Sequence, residues 1–576
     1  MRVLVLTHAY NGLAQRLHAE LARLGHEVSV ELDIADAVTA EAVEIFGPDV
    51  VVAPFLKRAI PASVWRRVPC LVVHPGIPGD RGPSSLDWAI LERESDWGVT
   101  VLQANEVMDG GDVWASRGFP MREASKGSLY RREVTECAVA AVVEALDRMA
   151  RGERPVPHAQ AAAASRGRAR PPVRQADRSI DWTRDTTADV LRKIRSADGS
   201  PGVFDRVDGV DCRLFDAHPE GVLRGAPGAW IARREEALCR ATVDGAVWIG
   251  HVRRALAAGD FKRPAALALP EIAGRLADDP LPSLPARDAS TWQDIAYEES
   301  GAVGVLRFDF YNGAMSTRQC ERLARALEAA ARRPTRVVVL AGGADFWSNG
   351  IHLNTIEAAA SPADESWANI QAIDDLARAI IECATHLTIA ALGGNAGAGG
   401  VFLALAADRV VARDGIVLNP HYKNMGNLYG SEYWTYLLPA RVGASRAREI
   451  TEGRLPMLAA PARASGLVDE VAGPDPVSFE AAVLARARAL AAPEAFAGLL
   501  AAKRERRQRD EAAKPLEAYR AEELGRMRMN FYGFDPSYHV ARYHFVHRVP
   551  HAWTPLHLAR HRRRTARATI REASTT

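Results

Sequence analysis

The sequence predicts an α/β protein in which two regions of alternating strands and helices flank a smaller domain of short strands. Three observations carry this. Apolar, β-branched runs such as VLVLT, VSVEL and VVVAPFL alternate with helix-length amphipathic stretches over the first 150 residues. Short strand-like runs broken by glycine turns fill roughly residues 201–252. A second alternation starts near Trp292, with glycine pairs closing the strands RVVVLAGG and LTIAALGG.

Taken in order, residues 2–7 read as a strand and NGLAQRLHAELARLG as an amphipathic helix closed by Gly25. HEVSVEL is a second strand, residues 37–46 a helix and DVVVAPFL a third strand, which together predict a parallel, doubly wound sheet. The first loop, THAYNG, is not GxGxxG and so does not point to a dinucleotide. The buried-strand run Leu71-Val72-Val73 is broken at once by His74-Pro75-Gly76. Such a strand end is where ligands sit in open α/β sheets. Pro83 suits the first turn of a helix over SSLDWAILE. GVTVLQANEV is another strand and delivers Asp109 into the tight turn Asp109-Gly110-Gly111. A histidine and a carboxylate on two such loops could orient one imidazole for proton transfer, although each residue type is as much at home in a structural turn.

From Lys126 to Met149 one long helix is expected, with Arg131 and Arg132 near its start, where cations oppose the helix dipole unless they face an anion. Residues 151–175 read as an exposed linker and SIDWTRDTTADVLRKIRSAD as a strand, turn and helix. Residues 263–289 read as a second connector. Beyond it come the strand GAVGVLRFD, the helix RQCERLARALEAAARRP, a long helix across 365–385, the helix GVFLALAA and the strand DRVVARDGIVL. Glycine corners such as NAGAGG present backbone N–H groups to an anion, and serve close packing equally well. The run His561-Arg562-Arg563-Arg564 reads as a solvated helix end, with no interleaved aromatics to suggest nucleic acid.

With 576 residues the chain is long enough for three or four domains. A formal net charge of +2 supplies no field that would draw nucleic acid or an anionic membrane. The six cysteines are scattered without a CxxC pair, as expected of buried thiols in a reducing cytoplasm and not of a metal site. No leader is visible and no apolar run reaches membrane-span length, so a soluble, cytoplasmic protein is expected.

His74, the Arg81-Gly82 turn, GVTV at 98–101, Asp109 in MDGGD and the later IDW and PGVF elements resemble the folate-dependent formyltransferases, including methionyl-tRNA formyltransferase, over roughly residues 1–260. That resemblance implies a 10-formyltetrahydrofolate donor and an Asn-His-Asp trio, of which His74 and Asp109 carry over while Val72 stands at the Asn position. Residues about 290–500 resemble the crotonase, or enoyl-CoA hydratase/isomerase, superfamily. The resemblance implies an acyl-CoA ligand and an oxyanion hole from the backbone N–H groups of Ile351 (in FWSNGIHL) and Gly399 (in NAGAGG). The two hydratase glutamates fall near Phe402 and His421, so enoyl hydration is not expected. NPHYKNMGNLYGSEYW offers Tyr422 and Glu432 nearby, as catalytic or as structural groups.

Both halves in one order, with THAYNGLAQRLH, HPGIPGDRGPSSLDWAI and GSEYWTYLLPARVG, resemble the HoxX family of hydrogenase-maturation proteins along nearly the whole chain. The resemblance implies a Rossmann-like formyltransferase domain over 1–175, a small OB-like β-barrel over 176–285, a crotonase-fold domain over 286–530 and an extension over 531–576. It implies transfer of a formyl group from 10-formyltetrahydrofolate to coenzyme A, then loss of carbon monoxide from formyl-CoA for the [NiFe]-hydrogenase. His74 and Asp109 would serve the first step, with Tyr422, Glu432 and the Ile351 and Gly399 amides serving the second. Glu432 would take or relay the formyl proton, and Tyr422 would bond the thioester or protonate the sulfur. Arg16, Arg131 and Arg548 are candidates for the CoA phosphates, each equally at home as a surface or ion-paired arginine. No metal or membrane is called for, and the protein partners implied are the hydrogenase large subunit or its other maturation proteins. Two alternatives stand beside this reading: an amine formyltransferase fused to an independent acyl-CoA enzyme, and a non-catalytic hydrogenase assembly factor.

Overall fold

The structure is a computed structural model and describes residues 1–255 and 259–563. The first sheet contains β1 (Arg2–Thr7), β2 (Glu27–Leu32), β3 (Val50–Phe55), β4 (Cys70–His74), β5 (Asp96–Gln103) and β6 (Val113–Pro120). Their order is β2-β1-β3-β4-β5-β6. The doubly wound parallel pattern holds through β4, and β5 and β6 then run antiparallel, which corrects the all-parallel expectation. This reversal matters for the site. Gln103 pairs opposite Leu71, so the loop after β5 starts at the amino end of β4 and folds back across the strand face to reach His74. β6 carries three consecutive exposed residues, so its sequence lacked the apolar signal of a strand.

Three further expectations are revised. The helix after His74 begins at Ser85, and Pro83 lies in the loop ahead of it instead of in its first turn. Residues 151–175 are not a free linker. Arg81 and residues 168–170 exchange backbone hydrogen bonds of 2.9 and 3.2 Å, and Trp88 Nε1 donates to Pro171 O. SIDWTRD forms no strand, and Thr186 with Asp189 instead builds a reciprocal cap on the helix Thr187–Ala197.

The middle domain is an antiparallel sheet of β7 (Val203–Val207), β8 (Val210–Glu220), β9 (Trp230–Arg234), β10 (Ala237–Ala241) and β11 (Ala246–Arg254). Its order is β7-β8-β11-β10-β9, with β12 (Arg263–Pro264) beside β11. The supposed connector after residue 263 belongs to this domain. Two short helices place Ala265, Leu269 and Ile272 in its core beside Leu214 and Ile249.

The third domain alternates between two sheets. β13 (Ile295–Ser300), β14 (Val303–Phe308), β15 (Val337–Ala341), β17 (Leu387–Leu392), β19 (Arg409–Arg413) and β22 (Glu470–Ala472) form the larger. β16 (Phe346–Ser348), β18 (Asn395–Gly397), β20 (Val417–Asn419) and β21 (Met457–Leu458) form the smaller. Each main strand β15, β17 and β19 turns at a glycine-containing corner into a short strand of the smaller sheet. The expected single strand DRVVARDGIVL is therefore two strands in two layers. Helix Pro362–Ile381 packs behind, with Ile373 and Leu376 in the main core.

Helices Pro493–Ala513, Leu516–Tyr532 and Ser537–His547 pack on this domain, with Leu516, Met527, Phe531 and Tyr538 in its main core. The chain then returns to the first sheet, where Val30 N donates to Leu558 O at 3.1 Å and Leu32 N to Thr554 Oγ1 at 2.9 Å. His561 bonds Ser29 Oγ and Glu31, and Arg562 pairs with Glu31 and Glu41. The basic run is therefore not a solvated helix end: His561 is buried, and Arg562 neutralises carboxylates of the sheet edge. Arg564 lies outside the described residues. An edge strand needs cover, and this strap supplies it for β2.

Burial raises the Glu31 carboxyl, but bonds from His561, Thr554 and Arg562 outweigh it and hold the group below its ordinary value. A depressed carboxylate contributes stability that is present above its unfolded value and is lost as pH falls through the folded one. Glu31→Ala is therefore expected to cost about 3 kcal/mol near neutral pH, with the difference from wild type shrinking in acid. Chymotryptic cleavage at the exposed Trp553 of the strap, followed against pH, checks this.

Candidate functional site

One cavity of about 3510 Å³ is lined by residues of all three domains and the strap. Val72, His74 and Asp109 line it from the first domain, and Ile351, His421 and Tyr422 from the third. The two sets of residues singled out from the sequence therefore line one cavity.

At the first centre, β4 alternation puts Val72 and His74 on one face. His74 is only 4% exposed. Its Nε2 lies 2.9 Å from Asp80 Oδ2, and its Nδ1 lies 3.6 Å from Asp109 Oδ1, beyond hydrogen-bond range. Asp109 has φ +54°, and its other oxygen accepts from Gly82 N at 3.1 Å. Val72 offers no amide to a carbonyl. Sequence reading singled out Asp109 and overlooked Asp80, whose signal was a lone carboxylate in a Gly- and Pro-rich loop. Gly76 is required beside it, because a Cβ there would meet both Asp80 Oδ2 and His74 Nε2 at 2.5 Å.

At the second centre, Ala398 adopts φ +48° and turns the chain into the helix Gly399–Leu405. Gly350 lies so close to this helix start that a Cβ on it would stand 3.3 Å from Gly399 N. Among the described residues no hydrogen bond occupies the Ile351 or the Gly399 N–H. Two unspent donors side by side are what an oxyanion hole needs. Gly399 itself admits no side chain, since a Cβ would collide with the Glu432 carboxyl group.

Glu432 is buried behind that corner and does not line the cavity, whereas Tyr422 does. Tyr422 stacks on Phe402 with ring centres 5.1 Å apart, and its hydroxyl donates to Glu432 Oε2. Glu432 and Tyr433 have φ +60° and +58°, a strained pair held by two other carboxylates. Asp374 accepts from Glu432 N at 2.7 Å and from Ser431 Oγ, and Glu523 accepts from Tyr433 N at 2.9 Å and Thr435 N at 2.8 Å. Burial first, then the Asp374 charge, pushes Glu432 up to about 8, and burial pushes Asp374 to about 6. Glu432 is thus a protonated acid at neutral pH. Charged positions on the helices Pro362–Ile381 and Leu516–Tyr532 gave no sequence signal of this cluster.

Stability should follow the raised Glu432. A carboxyl whose folded value lies above its unfolded one contributes stability at low pH that declines as pH rises between the two values. Glu432→Gln is therefore expected to flatten the fall in melting temperature from pH 6 to pH 9, read by calorimetry across that range.

His421 was also unforeseen as a polar group of the wall. It is buried, neither ring nitrogen has a partner, and burial lowers it to about 4, so it is neutral. Of the three arginines, Arg131 lines the cavity from a π-helical turn, Tyr130–Val134, and bonds Asp345 and Asn312. The expected single helix over 126–149 runs through this turn without a break, from Lys126 to Ala150. Arg548, φ +54°, lines the cavity beside Gly199. Arg16 faces away from the main cavity and pairs with Glu20 at 2.9 Å. Lys262, missed in the sequence, lines the wall with Nζ 2.6 Å from Tyr311 OH, and burial lowers it to about 8. No group of three or more metal-ligating side chains occurs among the described residues, and no described helix is long and apolar enough to cross a membrane.

These features define a two-centre protein that joins a formyltransferase fold to a crotonase-like fold. The formyl transferase family matches residues 16–146, its C-terminal domain residues 172–263, and the enoyl-CoA hydratase/isomerase family residues 298–525. A methionyl-tRNA formyltransferase of Desulfotalea psychrophila is 30% identical over 215 residues, 34% of this chain and 64% of that protein. The hydrogenase maturation factor HoxX of Bradyrhizobium diazoefficiens is 58% identical over 566 residues, 98% of each chain. The crystal structure of HypX from Aquifex aeolicus in complex with tetrahydrofolic acid is 48% identical, with a TM-score of 0.94 over 98% of this chain and 99% of that one. The chain belongs to the HoxX family of hydrogenase maturation factors.

Proposed function

We propose that this protein makes carbon monoxide in two steps within one cavity, passing a formyl group from 10-formyltetrahydrofolate to coenzyme A and then decarbonylating formyl-CoA. The observation that carries this reading is the single enclosure shared by His74 and Tyr422. A flexible pantetheine arm could visit both centres without release. The folate assignment draws support from the tetrahydrofolate bound to the Aquifex aeolicus relative. The CoA assignment draws on the enoyl-CoA hydratase/isomerase match.

In the first step His74 takes the thiol proton, sulfur attacks the formyl carbon, the bond to the folate nitrogen breaks, and the proton passes to that nitrogen. A thiol reaches its anion more readily than an amine, which relaxes the need for the amide that Val72 lacks. In the second step the Ile351 and Gly399 amides hold the formyl oxygen. The Tyr422 hydroxyl turns its proton from Glu432 to the leaving sulfur and takes one in its place from protonated Glu432. Neutral His421, adjacent to Tyr422 and unpartnered, accepts the formyl proton and returns it to the Tyr422–Glu432 pair. Phe402 in place of a hydratase carboxylate keeps a water-activating group away from the thioester.

The test supplies 10-formyltetrahydrofolate and CoA to the intact protein and measures headspace carbon monoxide. Carbon monoxide in step with tetrahydrofolate supports the proposal. Formate alone, or formyl transfer only to added amines, would overturn it in favour of a simple formyltransferase. No turnover at all would favour an assembly factor.

A further inference from the structure

We infer that Asp80, not Asp109, is the positioning residue that sets the tautomer of His74, leaving Nδ1 as the reactive nitrogen and Asp109 on the reacting side. The inference rests on the proposed formyl transfer for its kinetic consequence, but its geometric content stands independently. A carboxylate oxygen only accepts, so the 2.9 Å contact of Asp80 with Nε2 places the imidazole proton on Nε2. Nδ1 then carries the lone pair on the side of Asp109, which lines the cavity together with His74, whereas Asp80 does not. Asp109 Oδ1, 3.6 Å from Nδ1, makes no hydrogen bond to an unprotonated nitrogen. Once Nδ1 takes a proton, that carboxylate is placed to attract it.

Asp80 is built for holding. Its side chain is 1% exposed, and its second oxygen faces Arg170 Nε at 3.6 Å. Arg170 is itself 7% exposed, pairs with Glu92 at 2.6 Å and lies 5.5 Å from the centre of the Trp97 ring. Arg170 comes from the segment that sequence reading took for a free linker. Its backbone is fixed on the Asp80 loop, since Gly167 packs so tightly there that a Cβ would collide with Pro78 O and Asp80 N. A chain of contacts thus runs from Glu92 through Arg170 and Asp80 to His74. Asp109 sits in a loop folded back from the far end of β5, and its second oxygen is taken by the Gly82 amide. The first carboxylate is a fixture of the strand end and the second belongs to the covering loop.

The experiment is ¹⁵N NMR of histidine-labelled full-length protein, with His74 assigned by its disappearance in His74→Gln, combined with the rate of formyl-CoA formation. The expected wild-type signal is a neutral imidazole protonated on Nε2. Asp80→Asn should shift this towards the Nδ1–H form and lower kcat by on the order of 100-fold, with KM for 10-formyltetrahydrofolate within about twofold. Asp80→Glu, which restores a carboxylate that can only accept where asparagine can also donate, should recover at least about tenfold of that loss. Asp109→Asn should leave the tautomer unchanged. A wild-type His74 protonated on Nδ1, or an Asp80→Asn protein with unaltered tautomer and rate, would overturn the inference. The wild-type spectrum keeps this decisive even if Asp80→Asn does not fold. The expected tautomer pattern without any formyl-CoA formation would uphold Asp80 as the group holding His74 and refute the proposed transfer.

Discussion

His74→Ala is expected to abolish formyl-CoA formation from 10-formyltetrahydrofolate, by at least about 1000-fold, while leaving carbon monoxide release from supplied formyl-CoA within about twofold. The magnitude follows from what is lost. The imidazole is buried between two carboxylates, and no amide at Val72 backs it up. Asp80 is buried and does not line the cavity, and Asp109 is held by the Gly82 amide. The selectivity follows from the fold, because β4 and its loops belong to the first domain and the Gly399 corner to the third. Feeding the two substrates separately and timing each product by mass spectrometry checks both halves of this expectation. Loss of both steps together would show that the mutation had collapsed the shared enclosure and not removed a proton carrier.

Glu432→Gln is expected to give the opposite pattern. Formyl-CoA should still form and accumulate, while carbon monoxide release falls by on the order of 1000-fold. The glutamine keeps an oxygen to accept from Tyr422 OH, so the tyrosine stays in place, but the proton that Glu432 carries near neutrality is gone. Tyr422→Phe should show a similar fall with the Phe402 stack preserved. Trapping accumulated formyl-CoA with hydroxylamine separates this outcome from general loss of structure. If Glu432→Gln released carbon monoxide at the wild-type rate, the buried cluster would be structural and the proton would have to come from elsewhere on the wall.

Much of this architecture was legible in the sequence because the first and third domains rest on buried apolar strands, whose β-branched runs are hard to mistake. Val3, Val5, Val50 and Val52 are fully buried in the first sheet, as their pattern required. Glycine pairs after β15 and β17 marked the corners of the third domain. What stayed hidden depends on long-range pairing. β6 reads as polar because Ser116, Arg117 and Gly118 are exposed in a row, on both of its faces. The stretch around Arg170 looked like a linker because its partners, Asp80, Glu92 and Trp97, lie more than seventy residues earlier. His561 and Arg562 looked solvated because Glu31, more than five hundred residues away, supplies the buried anion. The candidate site divided in the same way: His74 and Gly399 were singled out by resemblance to known families, whereas Asp80, Asp374, Glu523 and His421 gain meaning only through their neighbours.

The strap that returns to β2 also governs when the vessel is complete. Its residues Pro550, Trp553 and Leu558 line the cavity, yet they follow both enzyme-like halves in the chain. The first sheet is therefore made long before the segment that covers its β2 edge. A gene split between the two enzyme-like halves would yield a first half lacking part of its wall and the cover of its sheet edge.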